Sequence, residues 1–107
     1  MNISTFKIQM SKLMKQAWFL VKKLGWSISE AMKQAWKNFK LRRRLINNTV
    51  SFSYKKKDGS IREAVGTLLK TAIPAIAGER KSDPVKVQVY YDLEKQQWRS
   101  FNIESLI

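Results

Sequence analysis

The sequence predicts an α+β protein, an N-terminal helical hairpin followed by a small antiparallel β-barrel. Three observations carry this. Apolar residues recur at helical spacing up to residue 46, they alternate at period two beyond residue 47, and turn signals separate several short alternating runs. The change falls near Asn47-Asn48 and divides the chain into a basic helical half, 1–46, and a sheet-forming half, 47–107. With 107 residues the chain can bury one modest core, or a small core with a helical extension.

The helical half repeats itself. "MKQAW" stands at Met14–Trp18 and again at Met32–Trp36, an offset of 18 residues. With Ser11 and Ser29 at equivalent places, the unit is S-x-x-M-K-Q-A-W. Met10, Leu13, Met14, Ala17, Trp18, Val21 and Leu24 form one apolar stripe, and Ile28, Ala31, Met32, Ala35, Trp36 and Phe39 a second. Gly25 between them suits the left-handed position just past a helix end. Ser27 and Glu30 form an S-x-x-E capping box, and Trp26 is placed to staple onto Ala31. Two helices are therefore expected rather than one rod. In each copy Met, Ala and Trp read as inward contacts, and Lys and Gln as outward ones. Two short helices alone are marginal, so the hairpin is expected to dock on the second half or to self-associate.

In the sheet half, Val50, Phe52 and Tyr54 alternate with Ser51, Ser53 and Lys55 as a half-buried strand. Asp58-Gly59 signals a hairpin, with a return strand from about Ser60 to Leu68 in which Gly66 suggests a bulge. Residues 69–84 read as a loop. Val85, Val87, Val89 and Tyr91 then alternate with Lys86, Gln88 and Tyr90, which places Tyr90 outward, where it could stack on a base. Asp92–Gln97 turns, and "WRSFNI" forms the next strand, with Trp98 and Phe101 assigned to the core. "ESLI" closes the chain as a helical turn and a stub of strand.

Charge is the strongest global feature. The chain holds 21 Lys+Arg against 8 Asp+Glu, net +13. Residues 1–46 contribute +10, with Glu30 their one acid, and residues 47–107 contribute +3. That asymmetry favours an anionic partner. Cys and His are both absent, which removes thiol nucleophiles, imidazole acid–base chemistry and zinc sites built on those ligands. No apolar run exceeds five residues, Ala17–Val21, and the N-terminus lacks the apolar stretch of a secretory signal. The expected location is intracellular.

Two segments carry a resemblance. The K-D-G-S-I-R hairpin with the G-T-L after it (Lys57–Arg62, Gly66–Leu68), and the closing Y-D-L-E-K-Q-Q-W-R-S-F-N-I-E-S run (Tyr91–Ser105), are similar to small SH3-like β-barrel proteins encoded by gut bacteria and their tailed phages. Where that pattern carries an Asn-Pro-containing stretch, this chain has "LKTAIPAIAG". The helical unit is similar to segments of other small phage and mobile-element proteins. The resemblance implies an SH3-like barrel and a phage or mobile-element origin, with the cytoplasm of a bacterial host or a virion as location. It carries over no catalytic residue, and SH3-like barrels serve many unrelated functions.

The acids of the sheet half are Asp58, Glu63, Glu79, Asp83, Asp92, Glu94 and Glu104. Asp58 and Asp92 fall in turns, and the others are single carboxylates beside Lys or Arg. No paired-carboxylate, metal-ligand or phosphate-loop spacing stands out, so neither catalysis, a cofactor nor a small-molecule substrate is expected. Three basic groups stand out instead: Lys33, Lys37, Lys40, Arg42, Arg43 and Arg44 on the second helix and its end; Lys55, Lys56 and Lys57 at the hairpin; and Lys86 with Arg99 on the sheet. Part of the arginine cluster serves the helix dipole, but three consecutive Arg exceed that need, and their forks suit phosphate oxygens. The expected function is non-enzymatic binding of nucleic acid, DNA ahead of RNA, with little sequence preference. The alternatives are a protein-binding module, such as a virion component or a host-takeover or anti-defence factor docking on an acidic partner, and a first helix lying on an anionic membrane.

Overall fold

The computed structural model describes residues 3–78, 80 and 83–107. Glu79, one of the acids named above, lies outside them. Helix α1 spans Ile3–Leu24 and α2 spans Ile28–Asn47. Strands β1 (Val50–Lys55), β2 (Ile61–Thr67), β3 (Val87–Asp92) and β4 (Gln97–Asn102) form one antiparallel sheet in the order β1-β2-β3-β4. Two 3₁₀ turns, Lys70–Ala72 and Ala75–Ala77, punctuate the long loop, and a third, Ile103–Ser105, follows β4.

The turn between the helices follows its sequence signals. Gly25 sits at φ +73°, and its N–H donates to the Val21 carbonyl, the five-residue bond of an αL cap, while the Trp26 N–H donates to the Leu20 carbonyl. Ser27 caps α2, its hydroxyl accepting from the Glu30 amide at 3.2 Å. The Asp58-Gly59 turn has Gly59 at φ +89°, and Asp58 Oδ1 accepts from both the amide and the hydroxyl of Ser60.

The barrel closes at its end. After the last 3₁₀ turn Leu106 pairs antiparallel with Tyr54, and the Ile107 amide donates to Ser53 at 3.0 Å, so the chain terminus covers the edge of β1. Within it Tyr54 stacks on Phe101 at 4.8 Å, Phe52 meets Tyr90 edge-on at 4.9 Å, and Leu41 and Leu45 of α2 complete the cluster with Val50, Ala64 and Leu106. A second cluster joins Leu13, Ala17 and Leu20 to Ala31 and Ala35, and includes Ile103 from the barrel. The hairpin therefore docks on the sheet half through a shared core.

The register corrects three expectations. Gly66 is no bulge, since β1 and β2 pair without interruption from Val50↔Gly66 to Lys55↔Ile61. Glycine is needed there because a Cβ would lie 2.5 Å from Tyr90 Cδ2 and 3.3 Å from Phe52. Tyr90 points inward, not outward: it is fully buried, and its hydroxyl bonds that of Tyr54 at 2.8 Å. Gln88 and Asp92 share its inward face, so β3 turns its more polar side into the barrel and its valines toward the long loop. Alternation cannot choose between faces when the loop covers one and the barrel the other. Trp98 consequently lies opposite Phe101, half-buried against Tyr91 at 5.5 Å, with its indole N–H donated to Ala77. It is not part of the barrel core.

Candidate nucleic-acid interface

The helical repeat is oriented differently from the expectation, and that difference makes the site. In both copies only Ala is an apolar core residue, Ala17 and Ala35 each having no exposed surface. Gln, expected outward, turns to the barrel: Gln16 Nε2 donates to the Pro84 carbonyl at 2.8 Å, and Gln34 Nε2 to Ile103 and Leu106 at 2.7 and 3.0 Å. Trp, expected inward, is displaced to the flank, with Trp18 47% and Trp36 38% exposed. Met14 is also exposed and Met32 half-buried. The physical reason is that small Ala lets the helices approach while the barrel's terminal carbonyls demand donors. Gln34 and Asn38 therefore occupy the centre of the buried face of α2.

Outward from that face lies a cationic surface. At about 100° per residue, Lys33, Lys37, Lys40 and Arg44 fall within about 60° of arc, and Trp36 and Arg43 extend it by about 60° more. Lys33, Trp36, Lys37 and Lys40 line an open concavity of about 600 Å³. Trp36 packs edge-on against Phe39 at 5.4 Å, and the Arg43 guanidinium lies 5.8 Å from the centre of the Phe39 ring. The first repeat echoes this, with Lys22 5.6 Å from the ring centre of the exposed Trp18. Among the described residues the ion pairs are Arg62–Asp92 and Arg99–Asp92, so no carboxylate is paired with the cations of α2.

Arg42 does not belong to this face. It lies about 180° from Lys33 around the helix, and with Ile46 it lines a different groove. The three consecutive arginines are therefore split two to one. Lys55, Lys56 and Lys57 are exposed at the hairpin tip. They are linked to the helix through Lys37, whose Nζ donates to the Leu106 carbonyl at 3.2 Å while Leu106 pairs with Tyr54, next to Lys55. Lys86 is exposed at the approach to β3, whereas Arg99 is drawn to Asp92, with 3.9 Å between Nε and Oδ2.

Sequence reasoning missed Trp36 as a surface group. The signal was present: Lys33 and Lys40 stand three before and four after Trp36, as Lys15 and Lys22 do around Trp18, and those spacings share a helix face. It also missed Asp92, taken for a turn residue. Asp92 is fully buried, paired with Arg62, and its other oxygen accepts the amides of Glu94 and Lys95. Its role is to tie β2, β3 and the β3–β4 turn together, which is structural.

The barrel's matched length decides the relationship to known proteins. The family model WYL_2, an Sm-like SH3 β-barrel fold, matches residues 38–107. The chain belongs to the WYL_2 family. The WYL_2 span opens at Asn38, whose amide donates to the Ile103 carbonyl at 2.9 Å, and so takes in the half of α2 that seals the barrel core. Lys33, Trp36 and Lys37 precede the WYL_2 span. No curated protein and no solved structure matches the chain. Among the described residues no cluster of acidic side chains is suited to a metal ion, and no helix is long and apolar enough to cross a membrane.

Proposed function

We propose that this protein is a non-enzymatic nucleic-acid-binding protein, with DNA its preferred partner, that grips its ligand through the outer face of α2 with little sequence specificity. One observation carries the reading: an exposed tryptophan, Trp36, stands in a concavity walled by Lys33, Lys37 and Lys40, with Arg43 and Arg44 on the same arc. Cations tracking a phosphate backbone beside an aromatic ring that stacks on a base is the arrangement that binds strands irrespective of sequence. Base-edge readers are poorly supplied on this face, since the side-chain amide of Asn47 at its end is donated to the Arg43 carbonyl. Lys55, Lys56 and Lys57 extend the track beyond Lys37. An origin in a phage or mobile element, and action in the cytoplasm of a bacterial host, fit the sequence resemblance.

Anisotropy of a dye-labelled mixed-sequence oligonucleotide, single-stranded and duplex, tests this. The expected result is binding to both at low salt, weakened by about 1–3 kcal/mol for the single strand in Trp36→Ala, while Arg42→Ala, on the opposite side of the helix, changes little. A second reading, docking on an acidic protein, is favoured by a different surface, the groove beside Arg42.

A further inference from the structure

The groove lies between the end of α2, the loop after β2 and the outer edge of β3, with a volume of about 1050 Å³. Its walls are mainly apolar, Ile46, Leu68, Val87 and Val89 among them, and among the described residues its charged lining groups are Arg42, Lys70 and Arg80. On the loop that forms one wall, next to lining Ala75 in the same 3₁₀ turn, Ile76 is 97% exposed.

The floor of this groove contains an unfinished β-edge. β3 pairs with β4 along its whole length, from Val87↔Asn102 to Asp92↔Gln97, but with β2 only at Gly66↔Asp92 and Thr67↔Tyr91. Beyond Thr67 the chain leaves the sheet, and the Leu68 amide donates instead to Leu45 at the end of α2. The direction of the backbone groups follows from two bonds. The Ile103 amide donates to Lys86, which aims residues 86, 88 and 90 at β4, and the Leu93 amide donates to Val65, which aims the odd residues at β2. Val87 and Val89 thus present their backbone groups to the groove. Two of these are used locally: Val87 N–H by the Asp83 carbonyl, and Val89 C=O by the side-chain amide of Gln88 at 2.7 Å. Among the described residues the Val87 carbonyl and the Val89 amide have no partner. A donor and an acceptor at strand spacing, on an apolar floor, are what an added strand engages.

We propose that this groove takes an extended, acidic peptide segment of a partner protein, added alongside β3 as a further strand. The peptide backbone bonds the Val87 carbonyl and the Val89 amide, its alternate apolar side chains fill the Ile46–Val89 wall, and its carboxylates meet Lys70, Arg80 and Arg42. Peptide is favoured over nucleic acid because the floor offers a matched backbone donor and acceptor within an apolar trough, whereas the lysine face of α2 offers cations beside a stacking ring. The proposal does not rest on the nucleic-acid reading, which uses the other side of the helix.

The test is selection of displayed random peptides about eight residues long on the immobilised chain, at about 0.15 M salt. Enriched peptides are expected to alternate acidic and apolar residues, and the best of them, synthesised, to move the Val89 amide resonance. Its affinity is expected to fall at least about tenfold in Lys70→Glu/Arg80→Glu and in Val89→Pro. Proline removes the groove-facing amide that has no partner among the described residues and leaves the β3–β4 ladder its bonds. If Val89→Pro does not fold, the charge-reversed variant and the Val89 shift decide. The proposal is overturned if no acidic motif is enriched, if the selected peptide binds a folded Val89→Pro or the charge-reversed variant equally, or if a dT oligonucleotide moves the Val89 amide while the peptide does not.

Discussion

The side-chain amide of Gln34 donates to the carbonyl of Ile103 at 2.7 Å, across 69 residues of sequence, and its second proton goes to Leu106. One helical side chain thus satisfies two carbonyls at the 3₁₀ turn that closes the barrel. Replacing it by an isosteric apolar residue leaves both carbonyls buried and without that donor. Gln34→Leu is expected to destabilise the fold by about 1–3 kcal/mol in urea unfolding. Gln16→Leu, at the equivalent place in the first repeat but on an exposed bond, should cost well under about 1 kcal/mol.

The Tyr54 and Tyr90 hydroxyls are joined to each other at 2.8 Å inside the barrel. Tyr54→Phe alone removes this bond and leaves the Tyr90 hydroxyl with the Arg62 guanidinium as its remaining partner; it should cost about 1 kcal/mol, and removing both tyrosine hydroxyls should cost less than the sum of the single changes. A double-mutant cycle by thermal unfolding measures this, and strict additivity would contradict the bond.

Gly66→Ala puts a methyl 2.5 Å from Tyr90 Cδ2. Overpacking of this kind in a filled barrel should cost about 1–3 kcal/mol. Tyr90→Leu in the same chain should recover part of the loss, which unfolding midpoints of the single and double variants will report.

Stability should also fall at both ends of the pH scale. Burial alone pushes the Asp92 carboxyl up, but the Lys95 and Glu94 amides and the Arg62 guanidinium outweigh it and hold it below the ordinary 3.8. A depressed folded value means that this contribution is complete above the unfolded value and is lost as pH falls through the folded one. Burial, and then the bond with Tyr54, raise the Tyr90 phenol above its ordinary 10.0. The unfolded phenol ionises first, so stability falls as pH rises beyond that value. Melting curves should show Asp92→Asn flattening the acid limb and Tyr90→Phe the alkaline limb.

Much of this fold was legible because single residues dictate local geometry. Gly25, Ser27 and Asp58-Gly59 specify a helix end, a cap and a hairpin without help from tertiary structure. The faces were harder. Both sides of β3 are covered, so alternation placed Tyr90 and Trp98 on the wrong ones. In the helices the apolar stripe is wider than the buried strip, and the strip's centre is set by the barrel's need for donors at Ile103 and Leu106. That need made Gln34 and Asn38 inward and sent Trp36 to the surface, where the cations already were. The division of Arg42 from Arg43 and Arg44 follows from helical geometry alone.

The central claim, that the Trp36 face of α2 binds nucleic acid, is tested most directly by the salt dependence of duplex binding in the wild type and in Lys33→Ala/Lys37→Ala/Lys40→Ala. Each phosphate contact contributes about 0.9 to the log–log slope, so loss of the three lysines should flatten it by up to about 2.7 and weaken low-salt binding strongly. An unchanged slope and affinity, or a wild-type chain that binds no oligonucleotide even at low salt, would contradict the account.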